Sequence, residues 1–298
     1  MSSTRSVAPD TSSASPTPPE GDAEAQRAEQ REQWAEAAAL WTGFSPSSRP
    51  ITDRLIQLVH LGPGDAVLDL ACGTGMPALV EAEIVGPTGR VLGLDLAPEM
   101  LHVARDQAHE RSLQNVEFRV ISNEAELSLP EGEFDAATCK HGLMWMPNPL
   151  GAATALRRAL RVGGRIAVSS WMPPRGHPLL SVVPDLLDQH FGHRRALDPG
   201  QPKEFASEES LVALLLGAGF SDVTSEAIAI GWELAASCVE YVEDEMADEE
   251  FLEATKGASR EILEKLRHEA IERVRSSAGE GPPLLDLRVL IASGRKLG

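Results

Sequence analysis

Two carboxylates and a run of glycines carry the first chemical signal in this chain. In Val67-Leu68-Asp69-Leu70-Ala71-Cys72-Gly73-Thr74-Gly75 a short apolar stretch delivers Asp69, and a glycine turn then passes into a helical pattern. Glycine suits such a turn because a side chain would block whatever binds against the backbone, and because the turn calls for positive φ. Asp95 ends the next apolar stretch, where a carboxylate can accept hydrogen bonds from both hydroxyls of a ribose, as in dinucleotide-binding folds. Farther on, Cys139-Lys140-His141-Gly142-Leu143-Met144-Trp145 follows a fourth apolar stretch. The ordinary pKa of His141 suits proton abstraction near neutrality, which makes it the candidate general base. The plainer alternative is a pocket wall beside Trp145. His177, in Trp171-Met172-Pro173-Pro174-Arg175-Gly176-His177-Pro178, follows a fifth apolar stretch. His141, Trp145, Trp171 and His177 are therefore the candidate substrate contacts.

Chemistry of this kind needs a sheet whose strand ends converge. Ala66–Leu70, Gly89–Leu94, Val116–Ile121, Phe134–Cys139 and Arg165–Trp171 have strand length, and helical patterns separate most of them. That alternation implies a parallel, doubly wound α/β sheet with right-handed crossovers. After Trp171 helical patterns dominate at 179–191, 207–217, 235–247 and 257–276. Two further strand candidates, Val223–Leu234 (broken near Gly231) and Leu285–Ser293, are expected to complete the sheet. Upstream, residues 1–22 are rich in Ser, Thr and Pro and read as a disordered tail. A helix to Trp41 follows, with Trp34, Ala38 and Trp41 on one face, broken by Gly43-Phe44-Ser45-Pro46. A second helix from about Pro50 carries Ile51, Leu55, Leu58 and Val59 on one side.

From Val67 to Trp171 the sequence resembles the core of class I S-adenosylmethionine-dependent methyltransferases. It is most similar to the branch of ubiquinone and menaquinone C-methyltransferases and natural-product small-molecule methyltransferases. The motif D-L-A-C-G-T-G is that family's glycine loop, and the resemblance covers about residues 35–175, with a looser match over Leu285-to-Ala292. It implies a Rossmann-like, doubly wound, mostly parallel seven-stranded sheet with an antiparallel last strand, plus a helical cap. The implied organisation is a 1–22 tail, a 23–60 helical lid, a 61–175 core, a 176–280 cap or substrate region with one inserted core strand, and a last strand in 281–298. S-adenosyl-L-methionine is the implied cofactor and S-adenosyl-L-homocysteine the product. The loop around Ala71, Cys72, Gly73 and Gly75 would pack against the methionine part and ribose, with Asp69 toward the ammonium end and Asp95 on the ribose. Leu96 and Met100 would flank the adenine, Asn123 and Glu124 would grip its amino group, and Lys140 stands where the family often has Arg. Trp41, with Thr42 and Phe44, would close over the cofactor. Two departures stand out: Asn123 replaces the usual aspartate, leaving an amide oxygen to accept, and Val162 replaces a turn proline.

Rival readings are narrowed by the same residues. Gly73-x-Gly75-x-x-Ala78 also fits a dinucleotide fingerprint, but Asp69 just before the loop would crowd a diphosphate. A cofactor-binding protein that does not methylate, cyclase-like or regulatory, is the main alternative function. Net charge is −18, which repels phosphate backbones and anionic lipid, so the expected partner is a small-molecule acceptor and not nucleic acid or membrane. The acidic run from Glu240 to Glu250 reads as a solvated face, with a funnel for a cationic acceptor as the sharper option. Cys72, Cys139 and Cys238 have no metal-ligand spacing, no metal site is expected, and reduced thiols suit a cytoplasmic setting. The first residues lack the apolar core of a signal peptide, and no apolar run reaches membrane-spanning length. A homodimer is compatible with the sequence, which does not set the oligomeric state.

Overall fold

The computed structural model describes residues 19–44, 48–172, 178–193, 207–279 and 281–298. His177 lies outside the described residues, and so do the side chains of Thr42 and Phe44. The described residues fall into two compact units. One takes in the chain up to Met172 with 202–228 and 289–298; the other takes in 173–201 and 229–288.

In the first unit, α1 (Glu20–Phe44) and α2 (Arg49–Val59) precede the alternating core. The core runs β1 (Ala66–Leu70), α3 (Ala78–Val85), β2 (Arg90–Asp95), α4 (Pro98–Glu110), β3 (Val116–Val120), β4 (Phe134–Lys140), a 3-10 turn (Leu143–Trp145), α5 (Pro149–Ala159) and β5 (Leu160–Met172). α7 (Glu208–Gly217) follows α6 (Pro178–Phe191) in the chain, and β6 (Ser221–Glu233) and β7 (Leu284–Arg295) finish the sheet. Its order is β3-β2-β1-β4-β5-β7-β6, with β1 parallel to β2 and β4, β2 to β3, and β4 to β5. β7 alone runs the other way. Gly163 N donates to Lys296 O and Lys296 N to Gly164 O, so the end of β7 meets the start of β5. Thr224 beside Ser293 and Leu234 beside Pro283 give the same sense against β6. The fold is thus the expected Rossmann-like, mostly parallel seven-stranded sheet with an antiparallel last strand.

The core strands are buried on both faces, as parallel strands covered by crossover helices must be. Val67, Leu68 and Leu70 in β1, Ala136 and Ala137 in β4, and Ile166 and Val168 in β5 are essentially inaccessible. Register is fixed across the centre: Asp69 sits opposite Gly93 on one side and Thr138 on the other. Several boundaries differ from those read from sequence. α1 continues through Phe44, since the fragment after Trp41 stays helical, and β6 passes Gly231 unbroken. α9 (Glu249–Ala254) was not anticipated; six residues are too few for a periodic signal, although Asp248 caps it by accepting from Glu250 N at 2.9 Å.

The second unit packs α6, α8 (Cys238–Ala247), α9 and α10 (Arg260–Ala278) around Leu179, Val182, Leu186, Tyr241, Val242, Phe251 and Ile271. Tyr241 Oη donates to Leu179 O at 3.2 Å, which satisfies the hydroxyl inside that core. The acidic run belongs here and is partly paired, Glu243 with Arg267 and Glu250 with His193. None of the described helices is long and apolar enough to cross a membrane.

Candidate active site

The carboxyl-terminal ends of β1, β2 and β4 converge on one cavity, a concave site of the kind that small molecules use. Its floor is the glycine turn. Ala71 and Gly73 both take positive φ, 58° and 54°, and the turn is tied back by Gly75 N donating to Cys72 O at 2.9 Å. Gly75, at φ 109°, is needed for a close approach: a Cβ there would sit 2.8 Å from Leu79 Cδ1.

Asp95 is fixed at the tip of β2. Its Oδ2 accepts from Gly73 N at 2.8 Å and its Oδ1 from Ala97 N at 3.0 Å. Burial pushes its carboxyl upward, against the pull of the backbone donors of Ala97, Gly73 and Leu96. An ionised carboxylate can accept about four hydrogen bonds, so Asp95 keeps capacity for a ligand's hydroxyls on the cavity side. Leu96, Met100 and Trp41 supply apolar wall beside it, with the Trp41 ring over Gly73. A backbone cradle, an acceptor with spare lone pairs and an apolar slot match the parts of a nucleoside carrying an amino-acid tail.

Beneath the loop lies a buried polar cluster. Asp69 Oδ2 accepts from Ala78 N at 3.1 Å, anchoring the start of α3. Thr138 Oγ1 lies 3.1 Å from Asp69 Oδ1 and 2.8 Å from Glu81 Oε1. A hydroxyl has one proton, so both contacts are bonded only if one carboxyl is protonated and donates. Burial drives both acids toward that state: Asp69 is pushed up, and Glu81 is pushed well above the usual range, with Asp69 adding to its shift. Lys140 completes the cluster, donating from Nζ to Ser48 Oγ at 3.1 Å and Thr52 Oγ1 at 3.4 Å. Burial lowers it to about 8 although Asp69 and Glu81 pull the other way.

The far end of the cavity is closed by α1. Arg27 forks onto Glu124, Nε to Oε2 at 2.7 Å and Nη2 to Oε1 at 3.1 Å, and its Nη2 also reaches Asn123 Oδ1 at 3.2 Å. Arg31 Nε donates to Leu96 O at 3.3 Å, and Gln30 Nε2 donates to Trp145 O. Trp34 stands edge-on between Trp41 and Trp145. Asn123 Oδ1 also accepts from Ala125 N at 3.0 Å. The amide oxygen expected to meet a ligand therefore already serves two donors within the chain, which leaves the NH₂ as the amide's free side.

His141 ends β4 in the left-handed region, φ 58°. Its ring stacks on Trp171 with centroids 4.1 Å apart, and Nδ1 lies 3.3 Å from Ser169 Oγ. Burial, with a smaller push from Lys140, holds its pKa well below the ordinary value.

Of the residues singled out from sequence, Trp41, Ala71, Gly73, Asp95, Leu96, Met100, Asn123, Glu124, Lys140, His141 and Trp145 line the cavity. Asp69, Cys72 and Gly75 lie behind the wall as supports of the loop, and Trp171 stands behind His141. Arg27 and Gln30 were missed, and Trp34, placed on one helix face with Trp41, was not given a place in the site. Their spacing with Trp41 along one helix face was the available signal, but it was read for its aromatics alone. Ser48, Thr52, Glu81 and Ser169 had no local signal, since each acts on a residue distant in sequence.

A family model described as a methyltransferase domain matches residues 61–213, just over half of the chain. The chain belongs to this methyltransferase family. Nocamycin O-methyltransferase of Saccharothrix syringae is 34% identical over 57% of this chain and 58% of its own length. The ubiquinone/menaquinone biosynthesis C-methyltransferase of Ectopseudomonas mendocina is also 34% identical, over 57% of this chain and 70% of its own. The chain thus matches only 58% of the first relative's length. A Bacillus halodurans protein described as a methyltransferase shares the fold, with TM-score 0.52 at 20% identity over 83% of this chain and 99% of that one.

Proposed function

We propose that the protein transfers a methyl group from S-adenosylmethionine to oxygen or carbon of a small acceptor, in natural-product or quinone-type cofactor biosynthesis. The observation that carries the reading is Asp95: a buried carboxylate pinned by Gly73 N and Ala97 N beside a glycine cradle, with acceptor capacity left toward the cavity. Family membership and the O- and C-methyltransferase relatives support it.

When bound, S-adenosylmethionine supplies a methyl carbon made electrophilic by its sulfonium. What the chain's own residues contribute is binding, orientation and exclusion of water, and orientation alone can be worth effective molarities of ~10⁵ M or more. Asp95 holds the ribose, the backbone of Ala71 and Gly73 accommodates the amino-acid end, and Leu96 and Met100 cover the base. Trp145 and Met146 keep the acceptor side apolar. In this reading α1 and α2 form the lid, and residues 176–280 form the substrate region. Phosphate-rich partners are disfavoured by the net charge of −18. A cytoplasmic setting suits its buried, unpaired cysteines.

Calorimetric titration with S-adenosylhomocysteine, run beside Asp95→Ala and beside NAD, tests the reading. Micromolar binding that the variant loses, with no heat from NAD, is the expected result. Binding of NAD together with silence toward S-adenosylhomocysteine would sink it. Release of methylated product separates the enzyme from a non-methylating binder.

A further inference from the structure

We infer that His141 is a neutral hydrogen-bond donor, through Nε2–H, to an acceptor that reaches the site already as an oxyanion, and is not the base that creates one. The inference rests on the methyl-transfer reading and narrows its substrate class.

The tautomer follows from counting protons around Ser169. Its Oγ lies 3.3 Å from Nδ1 of His141 and, at 3.2 Å, takes a share of that residue's backbone N–H, which also donates to Ser169 O at 3.1 Å. If Nδ1 carried the proton, Ser169 Oγ would receive two donors and its own O–H would find no acceptor among the described residues. Nε2 would then be a second buried orphan. If Ser169 O–H donates to Nδ1, only Nε2–H is left without a partner among the described residues. Buried polar groups are rarely left unpaired, so the arrangement with one orphan prevails. That orphan belongs to a ring only 4% exposed which lines the cavity. The stack on Trp171 and the left-handed backbone of His141 fix the ring's direction.

The cavity also lacks a free proton acceptor among its described ionisable groups. Asp95 is held by two backbone N–H groups and gives its remaining lone pairs to the ribose in the methyl-transfer reading, and Glu124 is held by Arg27 and by Asn148 N. Lys140 turns its ammonium toward Ser48 and Thr52, donating one proton to each, and Arg27 stays charged. Burial keeps His141 uncharged, and Lys140, the charged neighbour acting on the ring among the described residues, reinforces that. A donor in a buried site binds an anion more strongly than a neutral oxygen. The acceptor is thus an acidic enol or an electron-poor phenol whose proton has gone to solvent before binding. Its oxygen, or the enolate carbon conjugated to it, forms the bond to the methyl carbon as the bond to sulfur breaks. The anion's electron pair fills the new bond, the departing pair leaves sulfur as a neutral thioether, and no proton moves on the enzyme.

Long-range ¹H–¹⁵N spectra of histidine-labelled protein saturated with S-adenosylhomocysteine read this directly, with His141 assigned by its absence in His141→Gln. The expected result is a neutral Nε2–H tautomer from pH 5.5 to 8.5, with Ser169→Ala admitting the Nδ1–H form. An imidazolium or an Nδ1–H tautomer in the wild type overturns the inference. Added 4-nitrophenolate is expected to shift the Nε2 proton and to bind at least ten-fold more tightly than 4-nitroanisole. Equal affinity, or an unmoved proton, overturns the oxyanion assignment while the methyl-transfer reading stands. Failure of S-adenosylhomocysteine itself to bind removes that reading instead.

Discussion

Glu81→Gln is expected to stabilise the protein, and increasingly so as pH rises. Glu81 is fully buried, touches Thr138 and keeps Oε2 without a partner among the described residues. Its folded pKa lies well above the ordinary 4.5. For an acid displaced upward, the folded chain keeps a proton that the unfolded chain releases, so stability falls as pH climbs past the unfolded value. Each pH unit spent in that condition costs ~1.36 kcal/mol. Its neighbour Asp69, raised from 3.8 to about 7, shows how far the window extends. The two acids share one site, so the cost belongs to the pair. From pH 5 to pH 7 it accumulates to ~3 kcal/mol per retained proton. Glutamine removes one titrating group while its amide N–H₂ can donate to Thr138 Oγ1, and it leaves the Asp69 carboxylate facing the Lys140 ammonium. Scanning calorimetry of both proteins at pH 5, 6 and 7 checks this. At ~2–4 °C per kcal/mol for a domain of this size, the variant's advantage should grow by roughly 5–10 °C across the series. A Tm difference that does not change with pH, or a variant less stable at pH 7, would refute the shared-proton account.

Two other perturbations follow from the site. Arg27→Met removes the fork that ties α1 to Glu124, whose side chain is only 5% exposed. S-adenosylhomocysteine affinity should fall about ten-fold, equivalent to ~1.4 kcal/mol, with faster amide exchange over the first turns of α1; unchanged affinity would mean that the helix is not part of the binding site. Gly142→Ala places a Cβ 2.4 Å from Ala71 Cβ and 2.7 Å from Cys139 Sγ. The glycine turn must shift to relieve the overlap, so calorimetry should show cofactor-product binding weakened more than ten-fold; wild-type affinity would show that the turn is softer than its hydrogen bonds imply.

What could be read from sequence divides along a physical line. The alternating core was legible because β1, β2, β4 and β5 are apolar runs of strand length separated by helical repeats, and because Asp69, Gly73 and Asp95 sit at fixed distances from strand ends. Local signals of that type survive without knowledge of the fold. The supports were not legible. Arg27 meets Glu124 across 97 residues and Lys140 meets Ser48 across 92, and no periodicity links such pairs. Glu81 carries no local sign of burial in the sequence; only the sheet beneath α3 makes it a buried acid. Asn123 was read as a substitute acceptor, yet Arg27 and Ala125 take its oxygen, which becomes visible only once α1 is in place.

The three indoles along the cavity give the site an optical character. Trp34 stands 5.4 Å from Trp41 and 5.6 Å from Trp145, centroid to centroid, and all three line the wall. Indoles this close can exchange excitation, so the emission of the trio reports on the cavity as a group. A molecule that quenches one of them dims the group, and a movement of α1 that separates Trp34 from Trp145 alters its emission. Filling of the site and opening of the helix can therefore be followed by ultraviolet emission, without a label.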